Sequence, residues 1–172
     1  MTDNVEQTLK NFGVIIGQES TFVDEYEIER GMIKRFAQTI EDPNPLFYDE
    51  EYAKNTSYCG IIAPPTFLFE WNHHSAFPTE TSFSPGDEDT TPIFDHDKAP
   101  VFWGRAQNEY ELFEPLRPGD VIHCRSRVSD AYEKQTKAGP MVFLVGETIY
   151  TNQKGVLLGI HRETMFATPK AV

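Results

Sequence analysis

The fold of this chain is decided by the stretch Asp42-Pro43-Asn44-Pro45-Leu46-Phe47-Tyr48-Asp49, which is followed by Gly60-Ile61-Ile62-Ala63-Pro64-Pro65-Thr66-Phe67. Pro43 predicts the end of a helix, because the residue before a proline is pushed out of the α region. Pro64-Pro65 predicts the start of another helix, since proline is tolerated in the first turn, where the N–H has no helical partner anyway. The two stretches therefore separate an early helix from a later one.

The residues on either side fit that division. Ahead of Pro43, apolar side chains recur at helical spacing on one face, namely Met32, Ile33, Phe36, Ala37 and Ile40. After Pro65, the buried side of the second helix is predicted to consist of Phe67, Leu68 and Trp71. Between the two, Asp49 stands where an N-cap would begin a short helix at residues 50–56.

The second half of the chain has the pattern of antiparallel strands joined by turns rich in glycine and proline. Alternation of apolar and polar residues predicts four strands, at residues 102–113, 121–132, 141–151 and 156–167. Residues 20–27 fit either a strand or an extended lead-in. Helices followed by a run of strands predict an α+β fold with a segregated antiparallel sheet. The length predicts a single domain, residues 1–172, which contains an acidic loop rich in proline, glycine and serine at residues 78–99.

Composition and charge narrow the range of partners. The 172 residues carry a net charge of -12, so nucleic acid and anionic membrane surfaces would repel the chain. No apolar run approaches the ~18 residues of a membrane span, and the polar, acidic start of the sequence is unlike a signal peptide. Two cysteines, Cys59 and Cys124, predict buried reduced thiols in a cytoplasmic protein and no disulfide framework.

Two further groups of side chains bear on ligands. Asp95-His96-Asp97 has no second histidine or cysteine at ligand spacing, so the sequence predicts no functional metal site. An anionic ligand would need a local basic spot in so acidic a chain. The predicted strands and turns offer five arginines for it, Arg105, Arg117, Arg125, Arg127 and Arg162.

Several strings of the sequence resemble, in order and spacing, those of the MaoC-like hydratases and dehydratases, a hotdog-fold family. They are Asp42-Pro43-Asn44-Pro45, Ile62-Ala63-Pro64-Pro65-Thr66-Phe67 and Glu114-Pro115-Leu116-Arg117-Pro118-Gly119-Asp120. The sequence is most similar to the N-terminal-half type, the FAS1-like dehydratase domain, which includes the non-catalytic subunit of heteromeric (R)-hydroxyacyl dehydratases. The resemblance implies an antiparallel sheet wrapped around a central helix, in a dimeric, double-hotdog assembly. It also implies an acyl thioester of CoA or acyl carrier protein as substrate, and no cofactor.

Two positions depart from the pattern of the catalytic relatives. In those relatives an aspartate, and a histidine five residues on, activate water and supply a proton, while a backbone N–H at the start of the central helix stabilises the thioester oxygen. Asp42 retains the acid position, but Phe47 stands at the histidine position and has no proton to give or take. The family's glycine falls on Pro65, which has no N–H.

Three functions are therefore open. The resemblance favours the acyl-binding subunit of a hydratase or dehydratase, as a heterodimer with a MaoC-like catalytic subunit. The first alternative is a self-sufficient homodimeric (R)-specific enoyl-CoA hydratase, in which His73 replaces the missing histidine and the 78–99 loop closes over substrate. The second is an acyl-CoA-binding hotdog protein without chemistry. The substrate-binding candidates are Asn44, Phe47, Pro65, Thr66 and Trp71. Purely structural roles are the alternative for some of these positions. Asp42 and Asn44 would then form a turn, and Phe47 would be a core residue.

Overall fold

The computed structural model describes residues 16–17, 19–23, 27–71, 101–137 and 139–169. A five-stranded antiparallel sheet forms the larger part of them. Its strands are β1 (Glu19–Val23), β2 (Val101–Leu112), β3 (Ile122–Thr136), β4 (Gly139–Asn152) and β5 (Leu157–Pro169). They lie in the order β1-β3-β4-β5-β2. The four strands predicted after the acidic loop are confirmed with small shifts at their ends, and β1 shows that the early alternating segment is a strand.

In the described part of the chain, four helical segments lie between β1 and β2 in sequence. They are α1 (Arg30–Thr39), a 3-10 helix (Pro45–Phe47), α2 (Glu50–Lys54) and α3 (Phe67–Trp71). The predicted N-cap of α2 is confirmed, because the Asp49 side chain accepts the N–H groups of Glu51 and Tyr52 at 3.0 Å each. Local capping chemistry thus fixes where this short helix begins.

The apolar face predicted for α1 is confirmed over most of its length. Ile33 and Ala37 are fully buried, with Met32 and Phe36 packed beside them. Ile40 was predicted on the same face, and this is wrong, since its side chain is 44% exposed. The reason is that α1 ends at Thr39 and the chain then reverses through Glu41, whose φ is 55°. The helix thus ends before Pro43, in agreement with the proline signal.

The sheet packs one face against α3, which is the predicted hotdog arrangement. Phe67 and Leu68 are 1% and 2% exposed and share the core with Ile122, Tyr150 and Leu158 of the sheet. The helix begins two residues later than the prolines predict. The N–H of Phe67 donates to the carbonyl of Pro64 at 3.0 Å, so the prolines form a turn that leads into the helix. The dimeric assembly stays a prediction.

Gly159 of β5 sets how closely α3 approaches the sheet. A Cβ added at Gly159 would stand 2.9 Å from Cδ2 of Leu68 and 3.0 Å from Cζ of Phe69. It would also stand 3.1 Å from the carbonyl oxygen of Glu111 on β2, which is backbone and cannot swing aside. The absence of a side chain therefore holds the entry of α3 against the sheet.

We expect Gly159→Ala to lower the free energy of unfolding by about 1–3 kcal/mol, the usual cost of overpacking a close contact. Urea denaturation measures this. Gly31→Ala is the matched control, because Gly31 lies in α1 with nothing within 4 Å of the added Cβ. That control is expected to be neutral or slightly stabilising. Equal effects of the two substitutions would mean that α3 does not need the close approach.

Candidate functional site

Asp42 and Asn44 hold each other in a turn between α1 and the 3-10 helix. The Asp42 carboxylate accepts the N–H of Asn44 at 3.0 Å, and the Asn44 side chain accepts the N–H of Leu46 at 3.1 Å. The N–H of Asp42 donates to the carbonyl of Ala37 at 2.9 Å. Both side chains are half-buried. Aspartate and asparagine commonly stabilise turns through such side-chain to backbone hydrogen bonds, so both residues have a structural role here.

Phe47 is a core residue. Its side chain is 5% exposed and belongs to the main hydrophobic cluster. The 3-10 helix turns it inward, and its N–H donates to the carbonyl of Asn44 at 3.1 Å. The next residue, Tyr48, directs its side chain back towards the turn, where its hydroxyl donates a hydrogen bond to the carbonyl of Asp42. Phe47 therefore contributes packed carbon to the core and offers no group that could give or take a proton.

The prolines at the entry to α3 form the wall of a cavity. Pro64 is buried and Pro65 is exposed. The chain ahead of them is tied to the β2–β3 connection, because the N–H of Ala63 donates to the carbonyl of Leu116 at 2.8 Å. Two segments more than 50 residues apart in sequence are thus brought side by side.

The cavity has a volume of about 190 Å³. All of its lining residues except Tyr58 and Glu114 have wholly apolar side chains. The lining consists of Tyr58, Ile62, Ala63, Pro64, Pro65, Leu68, Leu112, Phe113, Glu114, Pro115 and Leu116. Pockets that enclose whole ligands of drug size measure about 300–1,000 Å³, whereas an apolar cavity of about 150 Å³ holds a benzene. The cavity is therefore large enough for the apolar end of a ligand, but not for a whole ligand of drug size.

Large apolar side chains are exposed around this cavity. Leu112 and Phe113, at the end of β2, are 49% and 51% exposed, and Tyr58 is 40% exposed. Clustered exposure of this kind marks surfaces that bind a ligand or a partner. Tyr58 is held by the turn at residues 56–59, in which the N–H of Cys59 donates to the carbonyl of Thr56 at 3.1 Å. Cys59 itself is exposed, so the prediction that both cysteines are buried is wrong for it and correct for Cys124.

The sequence candidates divide into three groups. Pro65 lines the cavity, whereas Asp42, Asn44, Phe47 and Thr66 do not. Trp71 is the last residue of α3, and its side chain, like His73 and the 78–99 loop, lies outside the described residues. The roles given to these residues therefore stay predictions. The cavity walls at residues 112–116 were not predicted as site residues, although the Pro-Leu-Arg-Pro-Gly-Asp string marked the turn that presents them.

Three of the five candidate arginines are engaged in ion pairs on the sheet. Arg105 contacts Glu163 at 2.7 Å. Arg127 and Arg162 flank Glu147 at 2.7 and 2.9 Å, and Arg162 also pairs with Glu111. Burial by itself raises the pKa of Glu147, but the hydrogen bonds from the two arginines outweigh it and lower the pKa below its ordinary value. These guanidinium groups are thus already neutralised.

The described ranges contain neither a metal site nor a membrane-spanning helix. Their histidine, cysteine and acidic side chains form no group of three or more that is placed to hold a metal ion. Within the same ranges, each helix is too short or too polar to cross a membrane.

Curated relatives and a family model match most of the sequence. A model described as "FAS1-like, dehydratase domain region" matches residues 14–159. A UPF0336 protein of Thermobifida fusca is 30% identical over 145 residues, which cover 84% of this chain and 87% of the relative. A UPF0336 protein of Streptomyces avermitilis is 44% identical over 113 residues, covering 66% of this chain and 68% of the relative.

Solved structures share the fold. A chain of the ChsH1-ChsH2 complex from Mycobacterium tuberculosis superposes with a TM-score of 0.72 at 19% identity, covering 99% of this chain and 94% of that one. A MaoC-like dehydratase from Rhodospirillum rubrum gives 0.64 at 19% identity, covering 91% and 94%. A chain of the HadBC (3R-hydroxyacyl-ACP dehydratase) complex from M. tuberculosis gives 0.62 at 18% identity, covering 88% and 96%. These similarities establish the hotdog fold.

Proposed function

Because this chain belongs to the FAS1-like dehydratase domain family, of MaoC-like fold, we propose that it is the acyl-binding subunit of a two-subunit hydratase or dehydratase. Its ligand is an enoyl or 3-hydroxyacyl thioester, and a second MaoC-like chain supplies the catalytic aspartate and histidine. The observation that carries the proposal is Phe47, buried in the core at the histidine position. A largely apolar cavity lies at the entry to α3.

The chemistry of hydration explains why these two features together indicate binding without catalysis. Water must be activated by a base, a proton must reach the α-carbon, and the thioester oxygen must be stabilised as it gains negative charge. Phe47 offers no base or acid. Pro65, at the position of the oxygen-binding amide, offers no N–H. The polar functions are missing, whereas the apolar wall that would receive an acyl chain is present.

The fold neighbours support a second subunit. Two of them are complexes of two different chains, the ChsH1-ChsH2 complex and the HadBC dehydratase complex. The exposed side chains of Tyr58, Leu112 and Phe113 offer this chain an apolar surface for ligand or partner. A partner that brings the missing histidine completes a site that this chain lacks.

The test is an assay of crotonyl-CoA hydration by the purified chain alone. We expect no turnover above background, and no difference between the wild type and Asp42→Asn. A binding assay with the same preparation is expected to detect a medium-chain acyl thioester. Robust turnover that is lost in Asp42→Asn would overturn the proposal.

Co-purification separates the proposal from a non-enzymatic acyl-CoA-binding protein. An affinity-tagged chain is expected to bring down a MaoC-like protein with an intact Asp-x-Asn-Pro-x-His string. The reconstituted pair is then expected to hydrate crotonyl-CoA with a rate that depends on the partner's histidine. If the chain binds thioesters and no such partner, the non-enzymatic function is the better one.

A further inference from the structure

We propose that Arg117 binds the phosphate at the end of the pantetheine arm, the group that CoA and acyl carrier protein share. This inference rests on the proposed function, since it assigns the polar end of the same ligand. Arg117 directly follows Leu116, whose side chain lines the cavity and whose carbonyl accepts the N–H of Ala63 at 2.8 Å. Arg117 is not itself part of the lining, but it directly adjoins this wall of the cavity.

The guanidinium of Arg117 lies against the loop on the other side of the cavity. Its Nη1 is 3.9 Å from the position that a Cβ on Gly60 would occupy. Gly60 is two residues from Tyr58, which is part of the cavity wall. The charge is thus placed between the two segments that form the cavity.

Arg117 keeps its charge available. Among the described residues no carboxylate lies within ion-pair distance of it, whereas Arg105, Arg127 and Arg162 are all paired. It is half-buried, so its charge is less screened by water than a fully exposed one would be. Arginine also matches phosphate geometry with two parallel hydrogen bonds.

The backbone around Arg117 is fixed. Its N–H donates to Oδ2 of Asp120 at 2.8 Å, and Oδ1 of the buried Asp120 accepts a hydrogen bond from Nδ2 of Asn152 at 3.0 Å. The carbonyl of Asp120 accepts the N–H of Ile28 at 2.8 Å, and the N–H of Gly119 donates to the carbonyl of Ile28 at 2.8 Å. The turn is therefore held on one side by Ile28, which precedes α1, and on the other by Asn152 at the end of β4. A preorganised turn loses little entropy when a ligand binds.

Overall charge makes such a contact necessary. The chain carries a net charge of -12, so it repels a phosphate except where a cation stands free. Arg125 is the other unpaired arginine of the five among the described residues. It alternates along β3 with Cys124 and Ser126, which are buried, so Arg125 faces the opposite side of the sheet. It serves as a control of equal charge on the opposite face of the sheet.

The test compares Arg117→Gln with Arg125→Gln by calorimetric titration of three hexanoyl thioesters. These are the thioesters of CoA, of 4′-phosphopantetheine, and of pantetheine without phosphate. We expect Arg117→Gln to weaken binding of the two phosphate-bearing thioesters about tenfold, the scale of one charge-assisted hydrogen-bonded contact. Binding of the pantetheine thioester is expected to be unchanged, and Arg125→Gln is expected to resemble the wild type throughout. A hexanoyl carrier protein, titrated in parallel, distinguishes the two sources of the phosphate.

Each outcome decides a different question. A loss with the CoA thioester but not with the carrier protein assigns Arg117 to CoA, and the reverse assigns it to the carrier. If the wild type binds the pantetheine thioester and Arg117→Gln binds every phosphate-bearing form normally, this inference is wrong and the acyl cavity stands. If the wild type binds none of the thioesters, the proposed function fails and this inference fails with it.

Discussion

We expect Ala63→Leu to weaken the binding of a hexanoyl thioester about fiftyfold. Ala63 is 4% exposed and lines the cavity of about 190 Å³ at the entry to α3. Leucine adds three carbons to this wall, which displace about three methylenes of the acyl chain. Each buried methylene contributes about 0.8 kcal/mol, so the loss is about 2.4 kcal/mol. Calorimetric titration of the two proteins measures it.

Chain length and a matched substitution provide the controls for Ala63→Leu. An acetyl thioester does not reach as far into the cavity, so its affinity is expected to change little. Ala106→Leu adds the same carbons at an exposed position of β2 and is expected to bind hexanoyl thioester like the wild type. Urea denaturation verifies that Ala63→Leu remains folded. Unchanged hexanoyl binding in a folded Ala63→Leu variant would show that the acyl chain enters elsewhere.

Local chemistry explains why much of the fold was predictable. Pro43 restricts the residue before it, and Asp49 has a side chain that caps a helix, so the end of α1 and the start of α2 follow from single residues. The strands follow from alternation and from turns rich in glycine and proline. Ile40 was misplaced because helical spacing does not tell at which residue a helix stops. α3 begins late because a turn closed by Pro64 and Phe67 precedes it.

The cavity was less predictable, because it depends on contacts between distant segments. One wall comes from residues 58–68 and the other from residues 112–116. The hydrogen bond between Ala63 and Leu116 joins the two walls. A contact between residues so far apart in sequence cannot be predicted from the local sequence pattern. The string around Arg117 was recognised as a turn. Only the fold places Arg117 beside a cavity and shows that no described residue forms an ion pair with it.

Phe47 shows how the structure sharpens a sequence prediction. Its identity alone removes a proton donor and acceptor, but leaves open whether the side chain lines a pocket or fills the core. The 3-10 helix at Pro45–Phe47 turns the ring inward, to 5% exposure, and Phe47 is not among the residues that line the cavity. A histidine at this position, which the resemblance to catalytic MaoC-like proteins implies for those relatives, would therefore place an imidazole in the core.

We expect Phe47→His to lower the free energy of unfolding by about 3 kcal/mol, because it removes packed carbon and buries polar nitrogens without partners. Urea denaturation measures the loss. Phe47→Leu is the control, since it keeps the position apolar and is expected to cost about 1 kcal/mol. The difference between the two variants reports the cost of the buried polar ring.

The pH dependence of Phe47→His identifies the cause. Burial disfavours the charged imidazole and lowers its folded-state pKa below the unfolded value of about 6.5. The unfolded chain then binds more protons, so the variant is expected to lose further stability relative to Phe47→Leu as the pH falls below about 6.5. No hydratase activity is expected to appear, because Pro65 still offers no N–H to the thioester oxygen. Asp42-dependent turnover in Phe47→His would instead mean that one substitution separates this chain from an active enzyme, and that the site was lost without being rebuilt for binding.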